Sequence, residues 1–183
     1  MTDVSTLLSS ARAGNADAVS QVFELLYGEL RSVASGQLRR SARPLATTTL
    51  LHESYLRLLS SGSIKAEDRR HFLAYASTVM RSIVVDHARE QLAAKRGGGQ
   101  RPVTLDTELS NSLTAADEDV LRVHEALAQL ASLDERLAKI VEMRYFAGMT
   151  EQETADILEI STRTVQRDWE KARMYLAAEL AKD

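Results

Sequence analysis

Apolar residues recur along most of this chain with the period of an α-helix, not with the alternation of a β-strand. In "TTTLLHESYLRLLSS", for example, Leu51, Tyr55, Leu58 and Leu59 fall on one helical face. No run of alternating apolar and polar residues between turn signals predicts a strand. The pattern therefore predicts an all-α fold, with helices near residues 3–12, 15–38, 47–60, 69–94, 117–131, 133–146, 151–158 and 162–180.

One segment interrupts this pattern. The stretch "KRGGGQRPVTLDTELSNSLTAADED", from Lys95 to Asp119, holds three glycines, one of the two prolines and no helical period. That composition is typical of a flexible linker. We therefore expect two small helical domains, residues 1–96 and 117–183, joined by a linker over residues 97–116.

Capping signals mark the starts of two helices in the C-terminal part. Thr150 followed by Glu153 fits a capping box, and so does Ser132 followed by Glu135. Gly148 is placed to end the helix between them. These signals predict short helices with defined ends.

The following segment predicts a helix-turn-helix. Glu159 stands in a tight turn where glycine would be easiest, and Ser161 can cap the next helix. In that helix Trp169 lies on the apolar stripe and is expected in the core, whereas the opposite face is basic. The second helix of such a motif enters the DNA major groove, where donors contact base edges and phosphates. The donors on this face are Arg163, Gln166, Arg167 and Lys171, and Lys171 and Arg173 suit phosphates.

Charge is distributed unevenly, although the net charge is only −3. Residues 37–101 carry 12 basic and 5 acidic side chains, whereas residues 102–183 carry 9 basic and 17 acidic ones. The basic middle favours a polyanion or an acidic protein surface as partner, the alternative being a solvated basic face. The lack of cysteine excludes disulfides and fits a cytoplasmic protein, and neither a signal peptide nor a membrane span is predicted.

Two segments carry a resemblance to a known family. The stretch "MTEQETADILEISTRTVQRDWEKARMYLAAEL" resembles the promoter −35-binding domain of extracytoplasmic-function (ECF) sigma factors. The stretches "TTTLLHESYLRLL" and "HFLAYASTVMRSIVVDHAREQLAAKRGG" resemble the family's domain for the polymerase clamp and the −10 element. The resemblance implies binding to core RNA polymerase, through the β′ clamp helices and β flap, and to promoter DNA. It implies no catalytic activity, no cofactor and no metal.

The same resemblance implies roles for individual residues. By this resemblance, Glu53 and Arg57 are expected to bind the polymerase. Contacts to the −10 element fall to Arg81, Ser82, His87, Arg89, Lys95 and Arg96. Contacts to the −35 element fall to Thr162, Arg163, Gln166, Arg167, Lys171 and Arg173.

The chain departs from the family at the start of the clamp-binding helix. The usual run there is similar to Asp-Ala-Glu-Asp, and its carboxylates face basic residues on the clamp. Here the aligned residues are Ala46, Thr47, Thr48 and Thr49, and only the later Glu53 remains acidic. If the clamp is basic, we expect the unmodified chain to bind the polymerase poorly.

Phosphorylation of a threonine would restore that charge, because a phosphothreonine carries about −1.5 to −2 and favours both arginine and a helix N-terminus. At 3.6 residues per turn, Thr49 lies about 160° from Leu51, and it is thus the most accessible threonine, followed by Thr48 and then Thr47. The sequence therefore suggests control by a Ser/Thr protein kinase. The alternative is that one threonine is only an N-cap and the others fill space.

Two other functions are less consistent with the sequence. A self-standing helix-turn-helix repressor would need a symmetric dimer and palindromic half-sites. An enzyme is disfavoured, because "HES" at 52–54 does not continue as a zinc motif and "GGG" at 97–99 is not a phosphate loop.

Overall fold

The computed structural model describes residues 3–41, 45–62, 64, 66–96 and 107–182, without the side chains of 95, 96 and 107–114. Over those ranges it confirms the all-α class, since none of these residues forms a strand. None of the described helices is long and apolar enough to cross a bilayer. The helices are α1 (Val4–Arg12), α2 (Ala16–Leu25), α3 (Tyr27–Ser41), α4 (Thr47–Ser60), α5 (Arg69–Arg96), α6 (Thr107–Leu133), α7 (Glu135–Val141), α8 (Glu151–Leu158) and α9 (Thr162–Leu180), with a π-helical segment at Glu142–Phe146.

The helix predicted over residues 15–38 is two helices. The chain bends at Leu26, where φ is −101° and ψ is 11°. Leu26 is only 3% exposed, so the bend places this side chain in the core. No proline stands at the bend, and the burial of Leu26 indicates that the packing of α2 and α3 stabilises it.

Helix α6 starts ten residues earlier than predicted. Residues 107–116 of the predicted linker are helical, and residues 97–106 lie outside the described residues. The sequence does carry a helical spacing there, with Leu109, Leu113, Ala116 and Val120 at intervals of four, three and four. The two serines, the asparagine and the threonine between them conceal this period.

The start of α7 corrects a predicted cap. Asp134, not Ser132, is the N-cap, and its carboxylate accepts from the backbone N–H groups of Arg136 at 3.0 Å and Leu137 at 3.3 Å. The Ser132 hydroxyl instead donates back to the carbonyl of Gln129, at 2.7 Å. A carboxylate is the better cap because it complements the positive end of the helix dipole.

The apolar residues form one large core and two small ones. The large core joins α1 to α5, and its fully buried side chains include Leu8, Leu30, Leu50, Leu58 and Phe72. The small cores lie in the C-terminal part, one between α6, α7 and α9 and the other between α7 and the helix-turn-helix of α8 and α9. Helix α6 connects these parts, because Val120 packs on the large core while Leu127 and Leu130 belong to a small one.

Glu159 is the one described non-glycine residue with positive φ, at 54°. An L side chain in this left-handed region is strained. We expect Glu159→Gly to raise the free energy of unfolding by about 1 kcal/mol, as measured by urea denaturation. The matched control is Glu170→Gly on the exposed face of α9, which should lower it by about 1 kcal/mol. A loss of stability in both variants would contradict strain at Glu159.

Candidate promoter and polymerase interface

The helix-turn-helix has the predicted caps. The Thr150 hydroxyl accepts from the backbone N–H of Glu153 at 3.2 Å, and the Glu153 carboxylate accepts from the N–H of Thr150 at 2.8 Å. Ser161 caps α9 by accepting from the N–H of Thr164 at 3.1 Å. Glu159 takes the left-handed conformation that the sequence predicted at the turn. Both ends of the motif are thus fixed by local chemistry.

The packing of α9 separates its two faces. Val165 and Ala172 are fully buried, and Trp169 is half-buried against both small cores, as predicted. The cationic groups of Arg144 and Arg173 lie over its indole ring at 5.8 and 6.0 Å. Thr162 is half-buried, and the other predicted −35 residues are exposed; they are Arg163, Gln166, Arg167, Lys171 and Arg173.

A buried carboxylate on α9 was missed in the sequence. Asp168 is fully buried and accepts from Arg136 of α7 at 2.8 Å and from Arg167 at 3.0 Å. It lies one residue before Trp169 on the boundary of the apolar stripe, and that position was the available signal. The pair with Arg136 ties α7 to α9 and holds the basic face in a fixed orientation. Arg167 also uses part of its hydrogen-bonding capacity on Asp168.

The start of α4 has no side-chain cap. Its N-cap is Ala46, and its first turn contains no acidic residue. Thr48 and Thr49 are exposed, whereas Thr47 is half-buried with its hydroxyl 3.4 Å from that of Ser35. The alternative that one threonine is the N-cap is therefore wrong, because the three threonines occupy the first three helical positions.

The predicted polymerase residues pair with predicted −10 residues across α4 and α5. The Glu53 carboxylate lies 2.9 Å from Nε2 of His87. Arg57 donates to the Ser82 hydroxyl at 2.8 Å and to Asp86 at 3.1 Å. The two predicted sites thus form one polar surface.

Arg81, one of the predicted −10 residues, lies in the contact between α5 and the C-terminal part. Its guanidinium donates to Glu142 of the π-helical segment at 3.1 Å and to Nδ1 of His124 on α6 at 2.8 Å, and it lies 5.4 Å from the centre of the Phe146 ring. Only 16% of the side chain is exposed. In this arrangement Arg81 holds the C-terminal part and is not accessible to DNA. Arg89 is exposed, and the side chains of Lys95 and Arg96 lie outside the described residues.

Further contacts connect the same two parts. Arg70 of α5 forms an ion pair with Asp156 of α8, and the Arg40 guanidinium lies over the Tyr145 ring at 5.0 Å. Burial raises the pKa of Glu142 in spite of the attraction of Arg81. Removing Glu142 and Arg81 from water therefore costs free energy, and the surrounding packing offsets this cost.

His124 is held in its neutral form. A guanidinium can only donate, so Nδ1 must accept and the ring proton must lie on Nε2. Burial first, and then the positive charges of Arg81 and Arg89, lower the pKa of His124. Glu125 and Asp86 act in the opposite direction.

The chain is similar to a known protein family. The model described as "ECF sigma factor" matches residues 1–182, which is nearly the whole chain. The comparison with curated proteins gave no match.

We expect Glu142→Lys to separate the two parts, because it would place a second positive charge against Arg81. The chain has no cysteine, so Asp17→Cys on α2 and Glu170→Cys on α9 allow labelling with a donor and an acceptor dye. Energy transfer between the dyes should fall in the Glu142→Lys variant.

The matched control is Glu135→Lys, which removes an exposed pair with Lys139 on α7. It should leave the transfer unchanged. Equal transfer in the Glu142→Lys variant and the parent would show that the Arg81 contact does not hold the parts together.

The pKa of His124 predicts a pH dependence. Because this pKa is lower in the folded chain, the unfolded chain binds more protons between that value and its ordinary one near 6.5. The stabilisation is therefore complete above about pH 6.5 and is lost as the pH falls. The midpoint of thermal unfolding should drop between about pH 7.5 and 5.5 in the parent and drop less in His124→Asn. An identical pH slope in the two proteins would contradict this role.

Proposed function

The chain belongs to the ECF sigma factor family, and we propose that phosphorylation of a threonine at the start of α4 controls its binding to core RNA polymerase. Members of the family bind core polymerase and promoter DNA and direct transcription initiation. They are transcription factors and not enzymes. The finer proposal concerns how this chain makes its contact with the polymerase.

The observation that carries the proposal is the uncompensated N-terminus of α4. Neither a side-chain cap nor an acidic residue in the first turn offsets its partial positive charge. Thr48 and Thr49 at this end are exposed. A kinase can therefore reach their hydroxyls without unfolding the helix.

A phosphate suits this position for two reasons. The free N–H groups of the first turn and the helix dipole both favour an anion there. A phosphothreonine also supplies about −1.5 to −2 of charge and three acceptor oxygens for arginine. Thr49 is four residues before Glu53, so its phosphate would extend the acidic edge that Glu53 already provides. The half-buried Thr47 is the least suitable of the three.

We place polymerase-clamp and −10 binding in residues 1–96 and −35 binding in residues 117–183. The exposed basic face of α9 supports the second assignment, with Thr162 at its edge. Glu53, Arg57, Ser82, His87 and Arg89 share the surface of α4 and α5 and support the first. Arg81 can join the −10 contacts only after it leaves Glu142, and Lys95 and Arg96 complete the proposed set.

Two alternatives remain as outcomes of experiment. A sigma factor without phospho-control would bind the polymerase through Glu53 and neutral contacts alone. A self-standing repressor would bind duplex DNA tightly without polymerase, and family membership counts against it.

The test compares four forms of the full chain made in cells without Ser/Thr kinases. They are the parent, the parent phosphorylated in vitro, Thr48→Ala with Thr49→Ala, and Thr48→Asp with Thr49→Asp. We expect the phosphorylated form to bind core polymerase at least about tenfold more tightly than the parent, and the aspartate form to recover part of this gain. The alanine form should start no promoter-directed transcripts even after kinase treatment.

Thr78→Ala is the matched control, because Thr78 is also an exposed helical threonine but lies on α5. The Thr78→Ala variant should bind core polymerase and start transcripts as the parent does, with and without kinase treatment. Full activity of the unmodified parent, or of the alanine form, would overturn the phospho-control and leave the family assignment intact.

A further inference from the structure

Gln166, one of the exposed side chains on the basic face of α9, is held by a carboxylate of the preceding helix. Its amide nitrogen Nε2 donates to Oε2 of Glu151 at 2.7 Å. Glu151 is the first residue of α8, where its charge complements the positive end of the helix dipole. The hydrogen bond therefore joins the start of α8 to the second turn of α9.

Glu151 is itself fixed in place by Arg144. Oε1 of Glu151, the second carboxylate oxygen, lies 3.6 Å from Nη2 of Arg144. The Arg144 side chain is only 23% exposed, donates through Nη1 to the carbonyl of Met149 at 2.8 Å, and lies over the Trp169 ring. One oxygen of Glu151 thus faces a packed guanidinium while the other faces Gln166. This anchoring distinguishes the contact from a pair of freely moving surface side chains.

The hydrogen bond fixes the orientation of the Gln166 amide. A carboxylate only accepts, so the amide atom that faces Glu151 must be the nitrogen and not the oxygen. Because Gln166 is exposed, its Oε1 and its second N–H remain to contact a partner outside the protein. They present one acceptor beside one donor. In the major groove adenine carries the complementary pair, a donor at N6 and an acceptor at N7, whereas guanine carries two acceptors, O6 and N7.

We propose that Glu151 is a positioning residue, which makes Gln166 select adenine against guanine at one position of the promoter. Turning the amide over would aim its nitrogen at guanine, but it would also set Oε1 of Gln166 against the carboxylate of Glu151, which is repulsive. Without that carboxylate, the terminal torsion of a glutamine has two broad orientations, and the amide turns over easily. The inference rests on the proposed −35 role of α9 and adds the base that one of its side chains reads.

The test measures base preference with the full chain, treated with kinase and bound to core polymerase. The complex is incubated with a pool of duplex DNA of random sequence, and the bound DNA is sequenced. Gln166→Ala identifies the position that Gln166 reads, as the one at which the preference disappears. We expect the parent to favour adenine over guanine there by at least about tenfold, as a bidentate base contact does.

Glu151→Ala should reduce this preference to about twofold or less and leave the other positions of the selected sequence unchanged. The capping box of α8 is made by Thr150 and Glu153, so the variant keeps its helix cap. A merely structural role of Glu151 would weaken binding to all sequences alike and would not change one position alone. Glu170→Ala is the matched control, because it removes an exposed carboxylate from α9 itself. It should keep the tenfold preference.

The outcomes separate this inference from the proposed function. An adenine preference that Glu151→Ala retains would overturn the inference, as would a preference for any other base at that position or an unchanged sequence with Gln166→Ala. In each of these cases the parent still selects a sequence, and the sigma factor role stands. A parent complex that enriches no sequence would instead contradict the proposed −35 role of α9, and the inference with it.

Discussion

The buried contact between Arg81 and Glu142 decides which surfaces of this molecule are available. Removing two charges from water is costly, and the raised pKa of Glu142 shows that burial outweighs the attraction between them. The pair persists because Arg81 also donates to His124 and lies against Phe146, so three elements share one guanidinium. A contact of this kind is specific but not strongly stabilising. It is therefore suited to an arrangement that forms in the free protein and opens when better partners are offered.

Promoter DNA and the polymerase are such partners for a sigma factor. In the packed arrangement the basic face of α9 remains exposed, whereas Arg81 is not accessible. If α9 carries the proposed −35 contacts, that surface is available in this arrangement, whereas the proposed −10 set lacks Arg81. Opening would cost the contacts of Arg81, Arg70 and Arg40 together. The free energy of polymerase and DNA binding has to exceed that cost.

Local chemistry made much of the fold predictable. The capping box at Thr150, the cap at Ser161 and the turn at Glu159 depend only on neighbouring residues, and the sequence predicted all three. Interactions between distant elements were not predictable in this way. The bend at Leu26 follows from core packing, and Asp168 is buried because Arg136 pairs with it. In the sequence, Arg81 cannot be distinguished from other basic residues, because its partner Glu142 is distant along the chain. The early start of α6 was not predicted, because polar residues between the apolar ones obscure the helical period.

The chain has two electrostatic features, which are the start of α4 and the contact of Arg81. Because they are separated in space, a charge at one has little effect on the other. One link from α4 to that contact is Arg57, which pairs with Asp86, one of the groups that influence His124. Thr49 lies eight residues before Arg57, about 12 Å along the helix axis. At physiological ionic strength the field of an exposed charge is screened over about 8 Å. A phosphate at Thr49 therefore acts on whatever faces the start of α4 and changes the Arg81 contact little. The proposed phospho-control of polymerase binding would then be independent of the packed arrangement.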